Sequence, residues 1–232
     1  MKKHVAVVLV VLAGMIGAVA PAQALTFVGT RGGLGATDSV DWGVLGPEYT
    51  TVSNPFTLLS AGGVSVTVSK LLPGAFERRD QGTSWAGNFA FGDALLWTSD
   101  GGSPSTNPVS VMDFGGAGIL AGGLQIQADY FGVFTARVEA FDAADTSLGF
   151  YTAAGNSTSN GDNSALFLGV SSDVPIHRLA FSLDAAPGGA IGDFAVNRLD
   201  FVPAGAIPEP ITMAGLCLGL GGLTAYLRRR RA

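Results

Sequence analysis

Val133-Phe134-Thr135-Ala136-Arg137-Val138-Glu139-Ala140-Phe141 decides the fold. In an extended chain Phe134, Ala136, Val138 and Ala140 share one face, and Thr135, Arg137 and Glu139 share the other. That period of two fits a half-buried strand and no helix. Just upstream, Leu124-Gln125-Ile126-Gln127-Ala128 repeats the pattern, and so does Gly63-Val64-Ser65-Val66-Thr67-Val68-Ser69. Downstream, His177-Arg178-Leu179-Ala180-Phe181-Ser182-Leu183 alternates with His177 in phase with the apolar set. Ala165 to Val170 and Phe194 to Phe201 are more continuously apolar, as in strands covered on both faces. Turn clusters separate these runs: Ser99 to Pro104, Gly115 to Gly118, Asn156 to Asn163 and Ala186 to Gly189. Strands at this spacing, with no capped helical period between them, predict an all-β, antiparallel β-sandwich of jelly-roll type over residues 25–202. A parallel β-helix is the alternative, but no fixed-period repeat supports it.

The two ends of the chain differ in kind from this body. Met1-Lys2-Lys3-His4 is basic, Val5 to Val19 is apolar, and Ala22-Gln23-Ala24 offers small residues to a signal peptidase. Residues 1–24 therefore read as a signal helix cleaved before Leu25. An uncleaved anchor is the competing reading; the short apolar run ending in Pro21 and an A-x-A site argues against it. At the far end, Pro203, Pro208 and Pro210 keep a linker over 203–210 extended. Ile211 to Leu227 then carries no charge and would span about 25 Å as a transmembrane helix. Arg228, Arg229, Arg230 and Arg231 follow in the closing segment 228–232, and basic flanks resist translocation, so that end stays in the cytoplasm.

Pro208-Glu209-Pro210 preceded by Ile207, an apolar run holding Gly215, Gly219, Gly221 and Gly222, and the four arginines together resemble the PEP-CTERM sorting signal. That signal belongs to bacteria that make exopolysaccharide. The resemblance implies an exported precursor anchored in the inner membrane of a Gram-negative bacterium and processed by an exosortase-type membrane peptidase. Its partners would be signal peptidase, the exosortase, the membrane before processing and exopolysaccharide afterwards. The body is similar to the extracellular part common in such proteins at Ile126 to Thr135, at Glu139-Ala140-Phe141-Asp142, at Leu166 to Val170 and at Asp193 to Leu199. In that family these are sandwich strands of generally unknown role, so the likeness supplies a compartment and no catalytic residue.

Charge is segregated. Between residues 25 and 210 seven basic side chains face all eighteen acids, a net charge of about −11 against −5 for the whole chain. Nucleic acid and anionic lipid need a basic footprint, so neither fits as a partner. The single cysteine, Cys217, lies in the apolar tail. The body therefore has no disulfide and depends on its core. Zinc and cysteine chemistry lack ligands there.

Candidate chemistry in the body is thin. His177 is its one histidine, no G-x-S-x-G elbow accompanies it, and its phase suits a packed or edge-lying side chain. A glycosidase needs two carboxyls in a cleft. Glu48, Glu77 and Glu139 are available, with Glu139 outward on its strand, but nothing pairs them. Arg78-Arg79-Asp80 reads as a solvated turn. A structural calcium would draw on Asp142, Asp145 and Asp162, whose Asp/Asn/Gly clusters also read as ordinary turns. Trp42, Trp85, Trp97, Tyr130-Phe131 and Phe150-Tyr151 supply either core or sugar-stacking faces. Asn156-Ser157-Thr158 matches a glycosylation sequon and equally a turn. The expectation is a sorted surface or matrix protein without enzymatic activity. The alternatives are a carbohydrate-binding module carried by the same signal, which predicts coplanar exposed aromatics, and a jelly-roll hydrolase.

Overall fold

The computed structural model describes residues 25–99, 108–186 and 192–205. The signal segment with Ala22 and Ala24 lies outside the described residues. So do Pro208-Glu209-Pro210, the apolar run and Arg228 to Arg231. Among the described residues no helix is long and apolar enough to cross a membrane.

In chain order the elements are β1 (Leu25–Val28), a one-turn helix α1 (Arg31–Leu34), β2 (Asp38–Val40), a 3-10 turn (Trp42–Leu45), β3 (Thr51–Val52), β4 (Phe56–Leu59), β5 (Ser65–Lys70), β6 (Phe76–Asp80) and β7 (Ala94–Trp97). Then follow β8 (Ser110–Phe114), β9 (Ile119–Ala128), β10 (Gly132–Phe141), β11 (Ser147–Ser157), β12 (Leu166–Ile176), β13 (Arg178–Ala185), β14 (Phe194–Val196) and β15 (Leu199–Pro203). Nine strands form one sheet in the order β1-β12-β9-β14-β7-β6-β3, with β15 beside β9 and β2 beside β15. The other sheet runs β11-β10-β13-β8-β5-β4. Every pairing between these strands is antiparallel. The expected all-β sandwich is the observed architecture.

The stretch 133–141 becomes β10 with the expected faces. Phe134, Ala136, Val138 and Ala140 are buried, and Val138 lies opposite Tyr151 on β11 and Phe181 on β13. The alternating residues of both sheets meet in one core, where the Phe114 and Phe201 rings touch edge to face at 5.3 Å between centroids. Each such ring removes enough apolar surface from water to contribute about 1.5–3 kcal/mol. Trp42 is part of this core and donates its indole N–H to the Asn197 carbonyl at 2.8 Å.

Three expectations need correction. Gln125 and Gln127 are not on a wet face: both are buried on the outer side of the nine-stranded sheet. That side is roofed twice, by the segment 81–93 over Trp85, Phe89, Leu95 and Ala195, and by α1 over Ala121 and Phe167. Arg78-Arg79-Asp80 is no solvated turn but the end of β6; Arg78 is buried and ion-pairs with Asp80, while Arg79 ion-pairs with Glu77. Phe194 to Phe201 is not one strand, because Asn197 and Arg198 break it into β14 and β15, and β15 runs through Pro203. His177 takes the expected packed, edge-lying place, half-buried at the junction of β12 and β13 with its backbone bonded to Phe114 and Phe141.

Candidate functional site

Three connections gather at one end of the sandwich: the segment 81–93 between β6 and β7, the turn 129–131 between β9 and β10, and the loop 158–165 between β11 and β12. Buried amides tie them together. Gln127 accepts from the Asn88 backbone N–H at 2.7 Å and donates to the Ser157 hydroxyl at 2.7 Å and the Thr158 carbonyl at 3.1 Å. Asn88 accepts from Thr158 N–H at 2.6 Å and donates to the Thr158 and Ser164 hydroxyls at 2.7 and 3.0 Å. Fully bonded buried amides fix loops more firmly than apolar contact alone, because every broken bond strands a desolvated partner. Phe89, wholly buried, is the apolar anchor of the same segment.

The anchored loops frame two adjoining cavities that share Ser84, Trp85 and Ala86. One, of about 290 Å³, is walled by Arg79, Trp97, Asp129 and Phe131. The other, of about 510 Å³, is walled by Gln81, Phe91, Ser159 and Asn160. Phe91 stands 78% exposed with its ring edge seated on Gly82, which has φ of +90° and no room for a side chain. Arg79 lies between aromatic faces, its guanidinium carbon 4.7 Å from the ring centroids of both Tyr49 and Trp97. The Trp85 and Trp97 rings are 6.4 Å apart and inclined at 53°. They do not form the coplanar platform that a flat sugar-binding face requires. Among the described residues Trp85 Nε1, Trp97 Nε1 and Gln81 Oε1 are buried without a hydrogen-bond partner.

A third cavity, of about 200 Å³, is polar and lies beside α1 between Arg31, Asp41, Asp93 and Arg198. Its charges are structural. Asp200 accepts from Arg31, and from Arg198 at 2.9 Å. Asn197 links Asp93, Gln125 and Arg31 through bonds of 2.9, 2.6 and 2.9 Å. Burial pushes the Asp200 carboxyl up and the Arg31 guanidinium down from their ordinary values, outweighing their mutual attraction.

The remaining sequence candidates are scattered. Asp142 accepts from the backbone N–H groups of Ala144 and Thr146, both at 2.8 Å, and Asp145 ion-pairs with Arg178. Asp162 belongs to the loop at the other end of β11. The three carboxylates therefore do not converge on a calcium ion, and among the described residues no group of three or more His, Cys, Asp or Glu side chains is placed to hold a metal. Burial alone would raise the Glu139 carboxyl, but bonds from Ser147 and Arg137 hold it below its ordinary value. Among the described residues its hydrogen-bond partners are Arg137 and Ser147, not a second acid. Tyr130 and Phe150 are exposed, Phe150 lying under the Arg137 guanidinium at 3.7 Å. Ser157 of the sequon is buried, so the segment is a strand end rather than an open turn.

Asp162 is the lock of its loop. Bonds from the Ser164 hydroxyl and backbone, with help from Asn88 and Asn160, lower its pKa from 3.8 to about 2. A depressed acid stabilises the folded loop above its unfolded pKa and loses that effect as pH falls through the folded one. The Ser164 amide resonance is therefore expected to hold its native shift at pH 4 and to move as pH approaches about 2. In Asp162→Ala the movement should be absent. A shift centred near the ordinary carboxylate value would refute the lock.

Gln81 and Phe91 are the site residues that sequence periodicity does not reveal. Their one local signal is the pair Gly82 and Gly92, both at positive φ, which bracket a nonperiodic aromatic segment.

No protein-family profile matches the chain, and no curated protein matches it. Among solved structures it is similar to a DUF4465 family protein from Bacteroides caccae, with a TM-score of 0.40 and 12% identity over 70% of this chain and 98% of that one. It is also similar to CsCBM6-3 from Clostridium stercorarium in complex with cellobiose, with a TM-score of 0.24 and 12% identity over 72% and 93% of the two chains. Neither likeness is strong enough to carry an argument about this protein.

Proposed function

We propose that the chain is an exported, non-catalytic β-sandwich protein, sorted by its Pro208-Glu209-Pro210 tail and kept at the cell surface or in an exopolysaccharide matrix. The observation that carries this reading is how closely the tail's tripeptide follows the sandwich in sequence. β15 ends at Pro203 and the Ala204 N–H closes onto the Gly118 carbonyl at 3.0 Å, and Pro208-Glu209-Pro210 follows within a few residues of the sequence. Prolines at 203, 208 and 210 disfavour helix and strand pairing there, as a peptidase substrate requires. The chain passes repeatedly between the two sheets, as from β8 to β9 and from β12 to β13, which supports reading the sandwich as one of jelly-roll type. Two carboxylates of the polar cavity are engaged, Asp93 accepting from Asn197 at 2.9 Å and Asp41 from the Gly43 N–H at 2.8 Å, and so are Glu77 with Arg79, Asp200 with Arg31 and Arg198, and Asp162 with Ser164. That commitment favours a structural role over acid–base chemistry.

Intact mass from native cells and medium tests the reading. The expected species begins near Leu25 and ends near Pro208 to Pro210, and it disappears when the processing peptidase is deleted. A product retaining Ile211 to Ala232 in every fraction would make the tail a plain anchor and overturn the sorting.

A further inference from the structure

We infer that the paired cavities around Phe91, Ser84 and Trp97 form a binding groove for an uncharged, hexose-based glycan chain. The inference rests on the matrix reading above only for the source of that ligand. Three observations converge on it. The groove has an open aromatic at each end, Phe91 at 78% and Phe131 at 56% exposure. Phe91 is not a stray surface ring: Gly82 and Gly92 shape the backbone to hold it up with its edge supported. Such a ring gains from covering by the apolar C–H face of a pyranose.

The polar rim is more specific. Ser84, Ser159 and Asn160 line the larger cavity beside Phe91, with Ser159 and Asn160 exposed. Their hydroxyl and amide groups donate and accept, so a polyol complements them where a purely apolar ligand does not. Among the described residues the unpartnered Trp85 Nε1, Trp97 Nε1 and Gln81 Oε1 are closed to solvent and are not contacts of the groove.

Charge selects among glycans. Arg79, the guanidinium in the groove, is already paired with Glu77 and sandwiched by Tyr49 and Trp97. The body around it carries about −11. A uronate chain would meet repulsion and, among the described residues lining the groove, no uncommitted cation, whereas a neutral chain meets neither problem. The Asn88 and Gln127 struts hold the walls in place, so little ordering opposes binding.

Full-length protein in mild detergent is titrated calorimetrically with cellohexaose, laminarihexaose, mannohexaose, a galacturonate oligomer and an unrelated apolar peptide. At least one neutral hexaose is expected to bind, with affinity unchanged in about 0.5 M NaCl. Phe91→Ala should weaken it about tenfold without changing the melting temperature, and Phe91→Trp should restore it. Failure of all three neutral hexaoses, an unchanged affinity in Phe91→Ala, tighter binding of the galacturonate or preference for the peptide would each overturn the inference. Correct tail processing with no glycan bound would leave sorting intact and remove the groove's assignment. Glycan binding by a protein that keeps its tail would do the reverse.

Discussion

Asp200→Ala is expected to destabilise the protein by about 3 kcal/mol, read as a lowered urea midpoint with an unchanged slope. Asp200 is 3% exposed and accepts from two arginines, Arg31 across the sheet and Arg198 two residues away. Removing one member of a buried pair leaves the other charged and desolvated, at about 3–5 kcal/mol. The lower end applies, because the Arg31 and Arg198 side chains keep 30% and 47% of their exposure and water can partly replace the carboxylate. The double variant Arg31→Met/Asp200→Leu should be less damaged than Asp200→Ala, since no stranded charge remains at Arg31. The pH dependence has a definite sign. Burial raises the native Asp200 pKa, so the folded state holds this proton more tightly than the unfolded state. Its contribution to stability is greatest below the ordinary carboxylate pKa and is lost as pH rises through the raised native value. Asp200→Asn should abolish that part of the pH profile. A melting curve with the same slope in Asp200→Asn would assign it to another acid.

The sequence discloses the inner faces of this sandwich far better than the outer ones. Phe134, Val138, Leu124 and Val68 follow strict alternation, and each is buried where alternation places it. Alternation assumes that one face is wet, and the nine-stranded sheet breaks that assumption. Gln125 and Gln127 are polar because the loops above them need hydrogen-bonding struts, not because water reaches them. Arg78 and Arg79 look solvated for the same reason, since their ion-pair partners Asp80 and Glu77 are neighbours on one short strand. The groove is harder still to foresee. Trp85, Gln81 and Phe91 belong to a nonperiodic segment whose position depends on Asn88 reaching Thr158 and Ser164, seventy or more residues away. The tail lies outside the described residues, and its reading rests on local sequence pattern alone.

Gly123→Val is expected to have the largest effect of any single change, leaving little folded protein at 37 °C. Gly123 lies on β9 directly opposite Gly169 on β12 and Asp200 on β15. A Cβ there would sit 2.7 Å from the Gly169 Cα, 2.8 Å from the Phe167 ring and 2.9 Å from the Leu168 carbonyl oxygen. Two of those neighbours are backbone in a sheet paired on both sides, so they have nowhere to go. Ordinary overpacking in a core is unfavourable by about 1–3 kcal/mol, and that figure assumes side chains that can repack. The glycine pair has a positive purpose. It leaves a flat spot on which the Phe167 ring lies, and the Arg31 guanidinium sits over that ring at 5.7 Å before reaching Asp200. A branched side chain at 123 would lift the ring and, with it, the cation that compensates the buried carboxylate. Two separate losses would then fall on one site, which places Gly123→Val beyond Asp200→Ala. Gly32→Ala in α1 is the control, since a Cβ there meets nothing within 4 Å and removing a glycine from a helical turn should leave the protein as stable or slightly more so. Thermal melting of the three proteins side by side decides the matter. If Gly123→Val melts with the wild type, the β9–β12 contact has slack that its backbone spacing denies, and the Phe167–Arg31–Asp200 stack does not depend on it.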